Sequence, residues 1–264
     1  MTITRLIKYP GAKNLLIPEI SKRFGESGAD TLVDVFGGSG NVSLNVNAPK
    51  TVYNELNKEL VNLFMVIKTH PKEFLEIARK WTVKESQFLN YKENLVLTNP
   101  ANQSKFDRAF RTFYKFNVSF GGMGSTYRTQ KEKSSLTNVR KILSKYDHIK
   151  AKISNWKIEN LDFKELIRNY GGENVFFYCD PPYTGKSWYD YSFNINDLED
   201  LKKLTRVIRG NYLFTFDYTD ENVMSVFGEP SSLMEFESQN KTRSGQTSTR
   251  KYSIYHSRSI NLTK

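Results

Sequence analysis

The chain has 264 residues, 39 Lys+Arg against 28 Asp+Glu for a net charge of +11, and a single cysteine, Cys179. That length supports one large domain or two modest ones with a real core, and one cysteine excludes both a disulfide framework and a cysteine-rich zinc site. No run approaches the roughly 18 apolar residues of a membrane span, and the start, Met1-Thr2-Ile3-Thr4-Arg5, has no apolar signal region, so the expectation is a cytoplasmic globular protein with no membrane partner.

Taken in chain order, residues 31–36 read as a short buried strand ended by Gly37-Gly38-Ser39-Gly40. A helix starts at 41–46, a second strand covers 51–53, and 58–68 has helical period. Residues 70–152 read as mostly helical, with helices over 72–81 and 105–116 and a glycine-rich loop or hairpin over 120–129. Strands return at 174–179 and 211–216, separated by a helix near 197–209. A last pair at 232–237 and 251–256 reads as a hairpin. Strand-helix alternation at both ends predicts an open α/β sheet with the helical middle inserted into it. The predicted division is 1–60 with 155–264 as one domain, and 61–154 as the insert.

Two constellations carry chemistry. The first is Asp34-Val35-Phe36-Gly37-Gly38-Ser39-Gly40 between a strand and a helix. Glycine lets a backbone approach a ligand closely, although tight strand-to-helix turns also need it. The next strand ends at Asn54-Glu55, where an acid in a nucleotide-binding sheet accepts hydrogen bonds from ribose hydroxyls. An adenosine-containing ligand is expected. No Gly-Lys-Ser/Thr follows, so this is not a P-loop, and the third glycine of the dinucleotide fingerprint is missing, which disfavours an NAD-dependent oxidoreductase.

The second is Asp180-Pro181-Pro182-Tyr183, straight after an apolar strand. Two prolines stop the strand and stiffen the turn. They display an acid and an aromatic at the strand's carboxyl end, where open α/β sheets keep their ligand crevice. The Asp180 carboxylate and the Pro181 carbonyl suit an exocyclic amino group with two hydrogens to donate, and Tyr183 offers a face for stacking a base. His70, His148 and His256 are scattered without metal-ligand spacing, so no metal is expected. Cys179 reads as a small buried apolar residue rather than a nucleophile.

The charge is uneven. Residues 104–152 carry twelve Lys/Arg, among them Arg111, Arg128, Lys131 and Lys133, against three acids. Residues 238–264 carry six, among them Arg243 and Arg250, and no acid. Basic segments interleaved with glycine and aromatics on a mildly acidic body predict a polyanionic partner. Tyr127 and Arg128 are the expected base-edge readers, because Arg bidentate to guanine is the commonest such contact.

Together Lys8-Tyr9-Pro10-Gly11-Ala12-Lys13, the 34–40 loop and Asp180-Pro181-Pro182-Tyr183 resemble the Dam-type DNA N6-adenine methyltransferases. The motif order is that of their α group, and the resemblance spans nearly the whole chain. It implies a Rossmann-like methyltransferase sheet with an inserted helical target-recognition domain, S-adenosyl-L-methionine as methyl donor, and double-stranded DNA as substrate, in a prokaryotic or phage-infected cell; a monomer is expected, with a dimer on DNA as the alternative. By the same resemblance Tyr9 and Lys13 touch the methionine end, Asp34, Phe36, Gly38 and Gly40 form the cofactor loop, and Glu55 holds the ribose. Asp162 and Phe163 hold the adenine, and Asp180 lies against both cofactor and target. Val35, Ala12 and Tyr9 depart from the family's usual proline, glycine and tryptophan. The competing readings are an RNA adenine or N4-cytosine methyltransferase, the latter disfavoured by Asp180, and a silent DNA-binding regulator on the same fold.

Overall fold

The computed structural model describes residues 4–80, 86, 89, 104–127, 132–184, 193–241 and 247–257. The strands among them are β1 (Thr31–Asp34), β2 (Lys50–Asn54), β3 (Trp156–Glu159), β4 (Val175–Cys179), β5 (Asn211–Asp217), β6 (Ser232–Lys241) and β7 (Thr247–His256). They form one sheet in the order β3-β2-β1-β4-β5-β7-β6. β4 runs parallel to β1, with Tyr178 opposite Asp34, and parallel to β5, with Cys179 opposite Phe214. β7 lies antiparallel on β5 and pairs with β6 as the predicted hairpin, longer than expected at both strands. This is the Rossmann-like sheet expected from the sequence.

The composition of β4 explains its central place. Phe176, Phe177, Tyr178 and Cys179 are all buried, the near-continuous apolar run of a strand covered on both faces. In β6, exposed and half-buried positions alternate from Ser231 to Glu237, the period of a strand with one face in water.

The helices are α1 (Ile17–Glu26), α2 (Asn41–Asn45), α3 (Lys58–Thr69), α4 (Pro71–Arg79), α5 (Lys105–Val118), α6 (Glu132–Leu143), α7 (Tyr146–Ser154), α8 (Phe163–Asn169), α9 (Ile195–Leu204) and α10 (Glu221–Phe227). α1 is absent from the sequence reading. Pro18 at its first turn and Glu19 beside it start the helix, and Arg23 pairs with Glu19 at 2.6 Å. β3 and α8 are likewise additions.

The chain divides into two compact units. One comprises 1–14, 37–47 and 52–160; the other comprises 15–36, 48–51 and 161–264. In the first, Tyr53, Phe64 and Trp156 form a ring cluster with centroids 4.7–5.4 Å apart. Phe74 packs edge-on to Phe113 and stacked on Tyr146, and Arg108 grips Glu59 at 2.6 Å. In the second, Phe24 packs on Phe176, and Phe227 on Phe214, Phe216 and Tyr255.

Candidate active site

Within the first unit, the turn after β1 is held by the end of β2. The Gly38 amide donates to Glu55 Oε2 at 2.7 Å, and the Asn57 amide donates to Glu55 Oε1 at 2.9 Å. Tyr53 donates its hydroxyl to the Gly38 carbonyl at 2.8 Å. The glycines answer to packing. A Cβ on Gly37 would lie 2.4 Å from the Tyr53 ring, and one on Gly40, which has φ +66°, would lie 2.8 Å from Phe64. Lys13 is 4% exposed and donates to the Gly11 carbonyl at 3.0 Å. Tyr9 meets the Phe116 ring edge-on at 5.0 Å. Asn117, fully buried on α5, donates to the carbonyls of Leu6 and Phe113. A Cβ on Gly122 would lie 2.9 Å from the Lys8 backbone. The segment from Leu6 to Tyr9 is therefore seated on α5 and the glycine-rich loop.

Within the second unit, β1 ends at Asp34, 1% exposed, and Val35 donates to the Tyr178 carbonyl at 2.9 Å. Phe36, Phe163 and Phe193 form a triangle with centroids 5.6–5.9 Å apart. Asp162 caps α8 by accepting from the Lys164 amide at 2.9 Å. Asp180 follows β4 directly and is half-buried, as are Pro182 and Tyr183, while Pro181 is buried. One step beyond the Cys179–Phe214 pair, Thr215 donates to Asp180 Oδ1 at 3.4 Å and meets the Tyr178 hydroxyl at 2.9 Å. Burial pushes the Cys179 thiol well above its ordinary value, aided by the nearby charges of Asp34 and Asp180. It stays protonated at neutral pH, unlike a nucleophilic cysteine.

A clamp follows the tetrapeptide. Thr184 donates its hydroxyl to the Asp220 carboxylate at 2.8 Å and its amide at 3.2 Å. Asp220 also caps α10 through the Asn222 amide, and the Asn222 side chain donates back to the Thr184 hydroxyl at 2.9 Å. Sequence reasoning missed Thr215, Asp220 and Phe193. A lone threonine inside the apolar run Leu213-Phe214-Thr215-Phe216 and an aspartate at a helix start were the available signals. Phe193 gave none.

Three of the DNA-directed candidates, Arg111, Tyr127 and Arg250, have described side chains. Arg111 is half-buried on α5, and Arg250 is exposed on β7 opposite Phe236. Tyr127 is 8% exposed within the apolar cluster and bridges Ser119; its ring is occupied in packing rather than displayed. Phe120, on the same loop, is 66% exposed. Arg128, Lys131, Arg243 and the Lys133 side chain lie outside the described residues, as do Trp188 and Tyr189. Among the described residues no group of His, Cys, Asp and Glu has the arrangement of a metal site, and no helix is long and apolar enough to cross a membrane.

Comparison with known proteins bears on this arrangement. The family model for D12 class N6 adenine-specific DNA methyltransferases matches residues 9–224, from Tyr9 past the Asp220 clamp. The modification methylase StsI of Streptococcus sanguinis is 24% identical over 189 residues, covering 67% of this chain and 28% of that protein's length. A DNA adenine methylase of Vibrio cholerae is 26% identical over 221 residues, covering 76% of this chain and 74% of its own. A solved Escherichia coli structure described as a methyltransferase, YhhF, aligns with a TM-score of 0.34 and 11% identity over 93% of this chain and 89% of its own. That alignment adds nothing to the sheet order itself. With the family model spanning both motif regions, the chain belongs to the D12 class N6 adenine-specific DNA methyltransferases.

Proposed function

We propose that the protein transfers a methyl group from S-adenosylmethionine to the N6 amino group of an adenine turned out of duplex DNA. The observation that carries this reading is Asp180, half-buried at the end of the central strand β4, with its carboxylate held by Thr215 and followed by Pro-Pro-Tyr. The names of the relatives, a modification methylase and a DNA adenine methylase, favour DNA over RNA and adenine over cytosine.

Within each unit the side chains are of the kinds the cofactor needs. Glu55 is fixed by two backbone amides, and a carboxylate has about four acceptor sites, so a ribose diol can donate to the same group. Phe36 and Phe163 offer aromatic surface for an adenine, and Asp162 an acceptor for its amino group. Tyr9, Lys13, Asp34, Gly38 and Gly40 complete the proposed set around the methionine end and the loop. When bound, S-adenosylmethionine supplies a methyl group activated by its sulfonium. The protein's own work is on the target. Asp180 and the Pro181 carbonyl accept the two hydrogens of the amino group, which draws the nitrogen towards a tetrahedral geometry and frees its lone pair. Tyr183 stacks on the base and offsets part of the few kcal/mol that unstacking costs. Positioning of this kind is worth up to about 7–11 kcal/mol in well-oriented systems.

In this reading residues 61–154 select the target, and the basic segments 104–152 and 238–264 hold the phosphates of a duplex bound by a monomer. Arg111, Arg128, Lys131, Lys133, Arg243 and Arg250 are the proposed contacts. Expression in a methylation-deficient host, followed by base-by-base mapping of genomic DNA, tests the reading. N6-methyladenine confined to a recurring sequence is expected; methylcytosine, or no methylation, contradicts it.

A further inference from the structure

Thr215 sits where an apolar strand ordinarily carries an apolar side chain. It is fully buried between Phe214 and Phe216 on β5. Its hydroxyl stands between two oxygens, Tyr178 Oη at 2.9 Å and Asp180 Oδ1 at 3.4 Å. Tyr178 is itself 1% exposed. The three groups thus form a line running from the interior of the sheet to the half-buried carboxylate.

Hydrogen-bond chemistry sets the direction of that line. An ionised carboxylate only accepts, so Thr215 donates to Asp180. The threonine oxygen then accepts from Tyr178, whose phenol must donate. Burial pushes the Tyr178 phenol well above its ordinary value, and the neighbouring Asp180 charge pushes the same way. The phenol therefore remains a donor throughout the neutral range.

We infer that Thr215, backed by Tyr178, is a positioning residue for Asp180, orienting the carboxylate and favouring its ionised form for the incoming amino group. The inference rests on the Asp180 reading given above. A hydrogen bond donated to a carboxylate favours the charged form. Among the described residues, the titratable groups that act on Tyr178 and Cys179 are Asp180 itself, Asp34 at the end of β1 and Tyr183 beyond β4. Asp34 acts on the same two side chains, Tyr178 and Cys179, as Asp180 does. The 3.4 Å separation is long, as catalytic hydrogen bonds often are before substrate binds.

The test is single-turnover transfer of labelled methyl from S-adenosylmethionine to unmethylated genomic DNA, followed across the acid-to-neutral range. Thr215→Val is close in shape and removes only the hydroxyl. It should slow transfer about 10- to 100-fold, the range for losing a hydrogen bond to a charged group, and move the acidic limb to higher pH. Cofactor and DNA affinities should change far less than the rate, because the lost bond is to Asp180 and not to either ligand. Thr215→Ser should restore both rate and limb, and Tyr178→Phe should shift them partway. If Thr215→Val transfers at the parental rate with an unmoved limb while Asp180→Ala is inert, the positioning role is wrong and the Asp180 reading stands. If folded Thr215→Ser fails as Thr215→Val does, Thr215 is a packing residue. If Asp180→Ala transfers normally, the Asp180 reading falls first and this inference with it.

Discussion

Glu55 has a structural task besides its proposed ribose contact, whereas the task proposed for Asp180 is chemical. Glu55 receives two backbone amides, from Gly38 and Asn57, so it shapes its loop whether or not a ligand is present. Glu55→Ala is expected to weaken S-adenosylmethionine binding by about 1–3 kcal/mol, the cost of losing a hydrogen bond to a charged group. Calorimetry on the folded variant checks this, and unchanged affinity removes Glu55 from the ribose site. Tyr183 is half-buried and proposed to stack. Tyr183→Phe keeps the ring and should keep most of the activity, whereas Tyr183→Ala should lose about 1–3 kcal/mol of base binding. Equal losses in the two variants would assign the work to the hydroxyl instead.

At the scale of elements, the tetrapeptide is held at both its ends, at Asp180 by Thr215 on β5 and just after Tyr183 by the Thr184–Asp220 clamp at the start of α10. Asp220→Ala removes a helix cap and the clamp together. It should cost about 0.5–2 kcal/mol of stability and lower the transfer rate. Thermal unfolding and methyl transfer read the two effects, and a variant changed in neither would make the clamp incidental. The same scale shows what was legible in the sequence. β4 and its Asp-Pro-Pro-Tyr end could be read because an apolar run and two prolines are local signals. The sequence marks 34–40 as a strand-to-helix turn with glycines that let a ligand approach, whereas in the structure Gly37 and Gly40 are required by the rings of Tyr53 and Phe64, which a linear sequence does not bring into view. Gly40→Ala, with its positive φ and a 2.8 Å approach to Phe64, should destabilise the fold by about 1–3 kcal/mol, seen as a lower unfolding midpoint. An unchanged midpoint would mean that the Phe64 ring yields freely. Thr215 stands 35 residues from Asp180, so only the parallel pairing of β4 and β5 makes them neighbours. Phe193 joins Phe36 and Phe163 in the same way. α1 escaped notice because its buried face includes Arg23, neutralised by Glu19 within the same helix.

For the whole molecule, the surplus of positive charge lies in 104–152 and 238–264, and part of it serves the fold, as Arg108 does with Glu59 and Lys251 with Glu235. The remainder is the charge proposed above to meet a phosphate backbone. Replacing Arg128, Lys131 and Lys133 by alanine should weaken DNA binding and flatten its salt dependence by about 0.9 log units per lost phosphate contact. An unaltered slope would make that stretch a solvated surface. Methylation of adenine N6 through Asp180 is the step on which the proposed function stands. The most direct measurement is transfer of labelled methyl to duplex DNA by the parent protein and by Asp180→Ala, with digestion to nucleosides and binding of S-adenosylmethionine checked in parallel. The account predicts label on N6-methyladenine in the parent and a loss of several orders of magnitude, about 10³-fold or more, in a folded Asp180→Ala protein. Label on cytosine, or undiminished transfer by Asp180→Ala, would contradict it.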